Sequence, residues 1–596
     1  MISARAAVRT ACALALAALV YRPSVVGAAD GLQIPLGPTT LPPCTGDPIS
    51  PTRTIEGSIP SSLQSSYLMV PFDVPEGTTQ VRVRYCWEGG GNVVDLGIWQ
   101  ARGADPAWGE SEFRGWGGSS HPDVAISAQG FSTEDQYLAN PKGYVPGRTT
   151  RGFLPGPIPP GEWAVELGVG AALTPAEGNA DGLTDFRVEI ELSSDPTFVA
   201  DPYVPAPYDE TPARAEPGWY AGDVHVHAEH SALGDATMSE AFAFAFTPLE
   251  QGGAGLDFIT LSDYVSRSSW GEIGRYQGLY PGKLIVRSAE IITYRGHAQN
   301  HASGRYVDHR AGPLYRVEPD GSLVSLRAAH PPREMFAEIH ESGGVTQLNH
   351  VTTCPSNTAY CRRTCRGCPW DYSVDETDYS AVDAIEVQSG SAFKAALFGA
   401  TAIAFWDAAL AQGHHIAAVG SSDSHTAGRA DDAQLSPIGQ ATTVLFAQEL
   451  SESGVKDAIR AGHTYVKIYG NADPDLRLDA TSDSGPSGIM GDTIPGPGAD
   501  LHATALNLPD DGSSYALDLM RDGVEIDSAP VATPGGSHDF RADGPGRYRV
   551  QLERDGLLIV LTSPVYVPEP GAGALGVAAA ASLLAARALR RRAGAR

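Results

Sequence analysis

"GDVHVHAEHS", residues 222–231, places three histidines and two carboxylates within ten positions of a 596-residue chain that holds only 16 histidines. In an extended strand the side-chain direction repeats every two residues, so His225 and His227 point to the same side. Alone, the stretch fits a metal site or a histidine-rich polar turn. What the later strands end in decides between them.

Working outward from there, residues 218–470 alternate apolar strand-like runs with segments apolar at helical spacing. The runs are "DVHVH", "LDFITLSD", "LIVRSAEI", "GGVTQLNH", "DAIEVQSG" and "HIAAVGSSDS", with "PREMFAEIHES" and "ATAIAFWDAALAQG" among the helical segments. This repetition argues for an α/β barrel or an open parallel sheet. Each run ends in a metal-capable residue: His225 and His227, Asp263, Glu290, His350, Glu386, and the pair Asp423 and His425. Residues at the C-terminal ends of barrel strands converge on one face. Imidazole mixed with carboxylate suits zinc, manganese or iron better than calcium, which prefers oxygen cages. Several such endings in order favour the metal site over the polar turn.

The flanks read differently. Residues 30–52 are a proline- and threonine-rich linker, and 53–198 carry short alternating runs broken by Gly and Pro, as in a β-sandwich. Trp108, Trp116 and His121 in its loops are read as packing rather than as a sugar site. Residues 199–217 hold five prolines and read as a second linker. Residues 471–567 return to β patterning and predict a smaller β-sandwich.

Both ends look like addresses. Residues 1–29 carry Arg5 and Arg9 before an apolar run and small residues near Ala28, a signal-peptide pattern. "PEPGAGALGVAAAASLLAARALRRRAGAR", residues 568–596, resembles the PEP-CTERM sorting signal of Gram-negative bacteria. Its uncharged stretch, 571–586, is shorter than the roughly 20 residues of a spanning helix. The resemblance implies export to the periplasm, outer surface or medium, a transient inner-membrane anchor, and cleavage by an exosortase-type enzyme. Acidic residues outnumber basic ones, 70 to 42, for a net charge of −28. Such a surface repels phosphate backbones and argues against nucleic acid as a partner. Outside the leader six cysteines remain, an even number suited to an oxidising compartment. Cys44 and Cys86 are a candidate pair. Cys354, Cys361, Cys365 and Cys368 crowd one loop and favour two local disulfides over a four-cysteine zinc knot.

The ordered motifs "GDVHVHAEHS", "GLDFITLSDY", "RSAEIIT…GH", "GGVTQLNH", "AIEVQSG" and "AVGSSDSH" resemble the polymerase and histidinol phosphatase (PHP) superfamily. "GWYAGDVHVH" and "IGQATTVLF…GVKDAIRAGHTYV" look nearest to its carbaryl-hydrolase-like (CehA/McbA) branch. The resemblance implies a distorted (β/α)7 barrel, here flanked by N-terminal and C-terminal β-sandwich domains, holding one to three divalent metal ions. It implies His225, His227, Glu290, His350, Asp423 and His425 as ligands, and Asp263 or Asp423 as the group that orients the attacking hydroxide or takes its proton. A bound cation lowers the pKa of water to near 7 and makes hydroxide available.

The chain also departs from the pattern. The second motif normally ends Asp-His, and here it reads Asp263-Tyr264. Either Tyr264 ligates as a phenolate to a strongly acidic ion such as ferric iron, or His230 or a neighbour compensates, or one metal position is lost with the activity. His297 is a further candidate, either ligand or loop residue. Arg287, Arg295, Arg429 and His463 are candidates for gripping a phosphoryl or carboxyl group. The expectation is an exported metal-dependent hydrolase acting on a small-molecule phosphoester. Hydrolysis of a carbamate, amide or carboxylic ester, and a degenerate surface binding protein, are the alternatives.

Overall fold

The computed structural model describes residues 32–354 and 367–569. The stretch read as a signal peptide (1–29), the span read as a sorting signal from Pro570 onward, and Cys361 and Cys365 lie outside the described residues. Cys44 and Cys86 form a disulfide. Cys354 and Cys368 are both disulfide-bonded, so their sulfurs are not available as zinc thiolates.

The N-terminal region is a sandwich of two sheets. One is ordered Arg53–Pro60, Leu183–Ser193, Gln80–Trp87, Asp123–Ser127. Alternation explains its two faces: Val81 and Val83 enter the core, while Arg82 and Arg84 turn outward to Asp123 (2.6 Å) and Glu189 (3.0 Å). The facing sheet is ordered Leu323–Arg327, Leu314–Val317, Tyr67–Val74, Gly161–Ala171, Val93–Trp99, Phe113–Gly118. Its first two strands come from within the span read as barrel, with Leu314 opposite Tyr67 in parallel register. Trp108 and Trp116 are buried with Tyr67, Met69, Val265 and Ile292, where the sandwich meets the central unit, and serve packing.

The central unit begins with β1 (Gly218–Val226), followed by β2 (Phe258–Leu261), β3 (Leu284–Thr293), β4 (Gly296–His301), β5 (Val345–Leu348), β6 (Ala384–Ser389) and β7 (Ala417–Ser421). They pair in that order, and a bridge from Val226 to Ser424 brings the end of β7 back to β1. The result is a ring, yet not the expected (β/α)7 barrel. β4 runs antiparallel to both neighbours. Only two residues, Tyr294 and Arg295, separate β3 from β4, too few for a helical crossover, so the chain must form a hairpin. Gly296 starts β4 because a Cβ there would sit 2.4 Å from the Trp370 ring. Helices α1 (Met238–Phe246), α2 (Trp270–Gln277), α3 (Pro332–Glu341) and α4 (Ala400–Leu410) occupy some crossovers and not others.

Val224, Phe258, Val286, Val345, Ala384 and Val419, from six of these strands, meet in one buried cluster that plugs the ring. Each such side chain contributes about 1.5–3 kcal/mol on full burial. A register shift between β1 and β2 breaks the alternation just beyond Val224. Val226 then packs outward with Ala241, Phe242 and Leu261 under α1, and His225 and His227 turn into the ring's mouth.

Beyond the ring, Thr442–Ala447 pairs antiparallel with β1, and Thr464–Lys467 continues the sheet to Leu557–Thr562. The C-terminal strands thus extend the central sheet. A second sheet, Asp475–Ser482, Ser487–Ile489, Gly498–Leu506 and Gly536–Asp543, covers them over Leu476, Leu501, Leu517, Val550 and Val560. Asp473, in the turn before this unit, accepts the Tyr469 N–H at 2.7 Å, and burial pushes its carboxyl up to about 6. A carboxyl raised in the folded state contributes stability below its unfolded pKa of 3.8 that is lost as pH rises through about 6. Asp473→Asn keeps the acceptor, so at pH 7.5 it is expected to be more stable by about 1–2 kcal/mol, and unchanged at pH 4, in urea melts.

Candidate metal centre

Four side chains carried by three strand ends form the centre. His225 and His227 come from the end of β1, Glu290 from β3 and Asp423 from the turn after β7. One ligand atom from each lies within 4.8 Å of all the others. His225 Nε2 is 3.3 Å from Glu290 Oε2 and 3.4 Å from Asp423 Oδ1, and His227 Nε2 is 3.5 and 3.3 Å from the same two oxygens. Both Nε2 atoms are fully buried and have no hydrogen-bond partner.

The outer nitrogens explain the orientation. His225 Nδ1–H donates to Glu386 Oε1 at 2.8 Å, and His227 Nδ1 is 2.8 Å from Ser231 Oγ. With the proton on Nδ1, the Nε2 lone pair of His225 faces two carboxylates, an arrangement that requires a positive charge between them. Burial opposes charging His225, but Glu290, Glu386 and Asp423 outweigh it and raise its pKa well above the usual value. Burial likewise works against Glu290 and Asp423 as anions, and the facing histidines hold both well below the carboxylate range. A divalent cation would satisfy the same demand, and the donor set fits zinc, manganese or iron.

Glu290 also faces a second group. Its Oε1 lies 3.2 Å from His350 Nε2 and 3.3 Å from His297 Nδ1, and accepts from Asn349 Nδ2 at 2.9 Å. His350 Nδ1–H donates to the Cys368 carbonyl at 2.9 Å, leaving its Nε2 lone pair toward Glu290. One carboxylate therefore stands between two imidazole clusters. The backbone is strained beside them: His350, Asp423 and Val265 take φ of 30°, 52° and 57°. Non-glycine residues in that region cost of order 1–3 kcal/mol each and persist where surrounding structure over-determines them.

The remaining sequence candidates divide. His425 donates from Nδ1 to the Asp423 carbonyl (3.1 Å), and its Nε2 accepts from the Tyr264 hydroxyl at 2.7 Å. Burial pushes His425 down to about 3 and, with nearby carboxylates, raises Tyr264 well above 10. In this arrangement the Tyr264 hydroxyl occupies the lone pair that His425 would offer a metal. His230 lies outside the clustered ligand atoms: its Nδ1 meets Ser268 Oγ at 2.9 Å, and its ring packs edge-on against Phe131. Asp263 is fully buried; its Oδ1 accepts the Ala228 N–H at 2.9 Å and fixes the turn after β1, while its Oδ2 has no hydrogen-bond partner among the described residues.

The four expected anion grips are engaged elsewhere. Arg287 pairs with Glu452 at 2.6 Å, Arg295 with Glu376 at 2.7 Å, His463 with Asp492 at 3.1 Å, and Arg429 lies on an open surface pocket near Asp431. Sequence reasoning named Glu386 as a metal-capable strand ending, where the structure makes it the holder of His225, and missed Lys394, the nearby cation 3.9 Å from Asp423 Oδ2. Glu386 had a readable signal, a carboxylate ending a strand; Lys394 sits inside a helical run and had none. Glu386→Gln removes the anionic acceptor that fixes the His225 tautomer. It is expected to lower metal affinity by about 10–100-fold in a competition titration.

No family model matches the chain, and no curated protein matches it. Among solved structures it is similar to a two-domain protein from Bacteroides vulgatus containing a predicted PHP-like metal-dependent phosphoesterase, at 15% identity. That match covers 61% of this chain and 100% of the other, with a TM-score of 0.31. It is also similar to a lesion-specific endonuclease from Pyrococcus furiosus at 15% identity, covering 41% of this chain and 56% of the other, with a TM-score of 0.25. Likenesses this loose assign neither fold nor activity, so any functional reading has to rest on the residues of this chain.

Proposed function

We propose that the chain is an exported metal-dependent hydrolase of the PHP superfamily, acting on a small-molecule phosphoester. The observation that carries this is the pair of fully buried, unpartnered Nε2 atoms of His225 and His227 facing the carboxylates of Glu290 and Asp423. These four residues would hold one divalent ion, and Glu290 with His297 and His350 a second. Such ions, when bound, polarise a substrate oxygen and bring water into a reactive range near neutral pH.

The chain's own groups do the rest. Glu386 and Ser231 hold the two histidines of β1 in one tautomer and one orientation. The Asp423 side chain is 20% exposed, the most open of its cluster, and is placed to receive a proton at Oδ2. Tyr264 and His425 occupy each other, which favours a centre of one or two ions over three. Support for export comes from the disulfides at Cys44, Cys86, Cys354 and Cys368 and from the leader-like and PEP-CTERM-like ends. The charge of −28 favours a small substrate over nucleic acid.

Elemental mass spectrometry on the full chain, then hydrolysis of p-nitrophenyl phosphate, bis(p-nitrophenyl) phosphate, p-nitrophenyl acetate and a naphthyl carbamate, tests this. Metal-dependent phosphoester turnover is expected, lost with chelator and restored by metal. Ester or carbamate turnover alone would replace the phosphoester assignment. Less than about half an equivalent of bound metal under added zinc, manganese and iron would remove the hydrolase assignment altogether.

A further inference from the structure

Beyond β6 the chain turns at Gly390 (φ 81°) and enters a helical stretch, Ala392–Leu410, that is interrupted by a π-helical turn at Ala395–Gly399. Such turns frequently sit at functional sites. A Cβ on Gly390 would lie 2.4 Å from Lys394 Cδ and 3.0 Å from its Nζ. The glycine therefore makes the space through which the lysine stem passes. That stem carries Nζ to 3.9 Å from Asp423 Oδ2, while Asp423 Oδ1 faces the two histidines of β1. At 3.9 Å the contact is an ion pair without a hydrogen bond, so the ammonium's donors remain unspent toward Asp423.

Beside it lies a second unspent group. Ser389 is buried, and its Oγ has no hydrogen-bond partner. Ser389 and Lys394 line one small crevice with His350, Glu386 and Phe398, so the crevice borders the second imidazole group at His350 and the carboxylate that holds His225. A buried hydroxyl without a partner is costly, and a ligand oxygen would relieve it.

The helix's outer side is apolar. Phe393 is 47% and Leu397 54% exposed, and their i,i+4 spacing puts both on one ridge next to Lys394. The same stretch buries Ala402, Trp406, Ala409 and Leu410 further along, so its bare apolar residues lie next in sequence to Lys394 and Phe398, which line the crevice.

We infer that Lys394 Nζ and Ser389 Oγ form an anion subsite beside the metal centre, and that the Phe393–Leu397 ridge receives an apolar group attached to that anion. The substrate class is then an oxyanion ester with an alkyl or aryl portion. This rests on the hydrolase reading and narrows it.

The test is calorimetric binding of phenylphosphonate, methylphosphonate and phenylacetate to the metal-loaded full chain. Phenylphosphonate is expected to bind about tenfold tighter than methylphosphonate. Lys394→Met is expected to weaken both by about 10–100-fold, with Lys394→Arg recovering most of the loss and both variants melting as the parent does. Leu397→Ser is expected to weaken phenylphosphonate alone. Phenylacetate binding that depends on Lys394, with no phosphonate binding, would leave the subsite standing and remove the phosphoester reading. Equal binding by the parent and Lys394→Met, equal affinity for phenyl- and methylphosphonate, or no binding of any of the three would overturn the inference.

Discussion

His225→Ala/His227→Ala, prepared as a double variant of the full chain, is expected to lose its bound metal and at least about 10³-fold in kcat/KM. Both imidazoles are fully buried and supply two of the four ligand atoms of the cluster, so the variant removes its whole nitrogen donor set. The loss follows from electrostatics as much as from ligand count. Without the histidines, Glu290, Glu386 and Asp423 stay close together, faced by His297 and His350 at Glu290 and by Lys394 at 3.9 Å from Asp423. Like charges at that spacing cannot all stay ionised, so the cluster takes up protons and ceases to be a metal site. Elemental analysis with circular dichroism checks both parts. A variant that keeps its metal and its fold would show that the centre lies elsewhere.

Glu290→Gln should be nearly as damaging, and for a different reason. Its two oxygens face separate imidazole pairs, His225 and His227 on one side, His297 and His350 on the other. Replacing the shared carboxylate by an amide removes one anion from both groups at once and turns an amide NH₂ toward one of them. The expected result is loss of both ions and a fall of at least about 10³-fold in kcat/KM. By contrast, His297→Ala should remove only the second ion. A stepwise difference in metal content between these two variants is the signature of a shared ligand. Equal content in both would refute sharing.

The convergence of His225, His227, Glu290, His350 and Asp423 was legible because strand periodicity and strand endings are local properties of sequence. The ring was legible as a set of strands and not as a (β/α)7 barrel, because the loop at Tyr294 and Arg295 is a two-residue detail that outweighs the general alternation. Arg287, Arg295 and His463 were misplaced for a plainer reason. A lone cation pairs with whichever carboxylate the fold brings near, and Glu452, Glu376 and Asp492 lie between 29 and 165 positions away. Lys394 illustrates the converse. It sits in an apolar helical run, where nothing in the sequence shows that Gly390 opens a path toward Asp423. The Asp263-Tyr264 departure was visible, but the mutual capping of Tyr264 and His425 depends on ring positions that only the fold defines.

The hairpin Leu314–Arg327 also sets an order of events. Strand Tyr67–Val74 has Gly161–Ala171 on one side and Leu314–Val317 on the other. During synthesis its second side has no partner until about 240 further residues have been made. At roughly 5–20 residues per second that interval is on the order of 10–50 s. From the completion of Leu183–Ser193 about 120 of those residues remain, roughly 6–25 s, and for that time the nascent sandwich carries an open, apolar edge (Tyr67, Leu68, Met69), the kind of surface that recruits other strands. A ribosome-bound fragment ending near residue 215 should therefore bind a holdase chaperone or self-associate, and one reaching past residue 330 should do so less. The sandwich is first in the chain, yet it is finished only when about half of the central unit has been made.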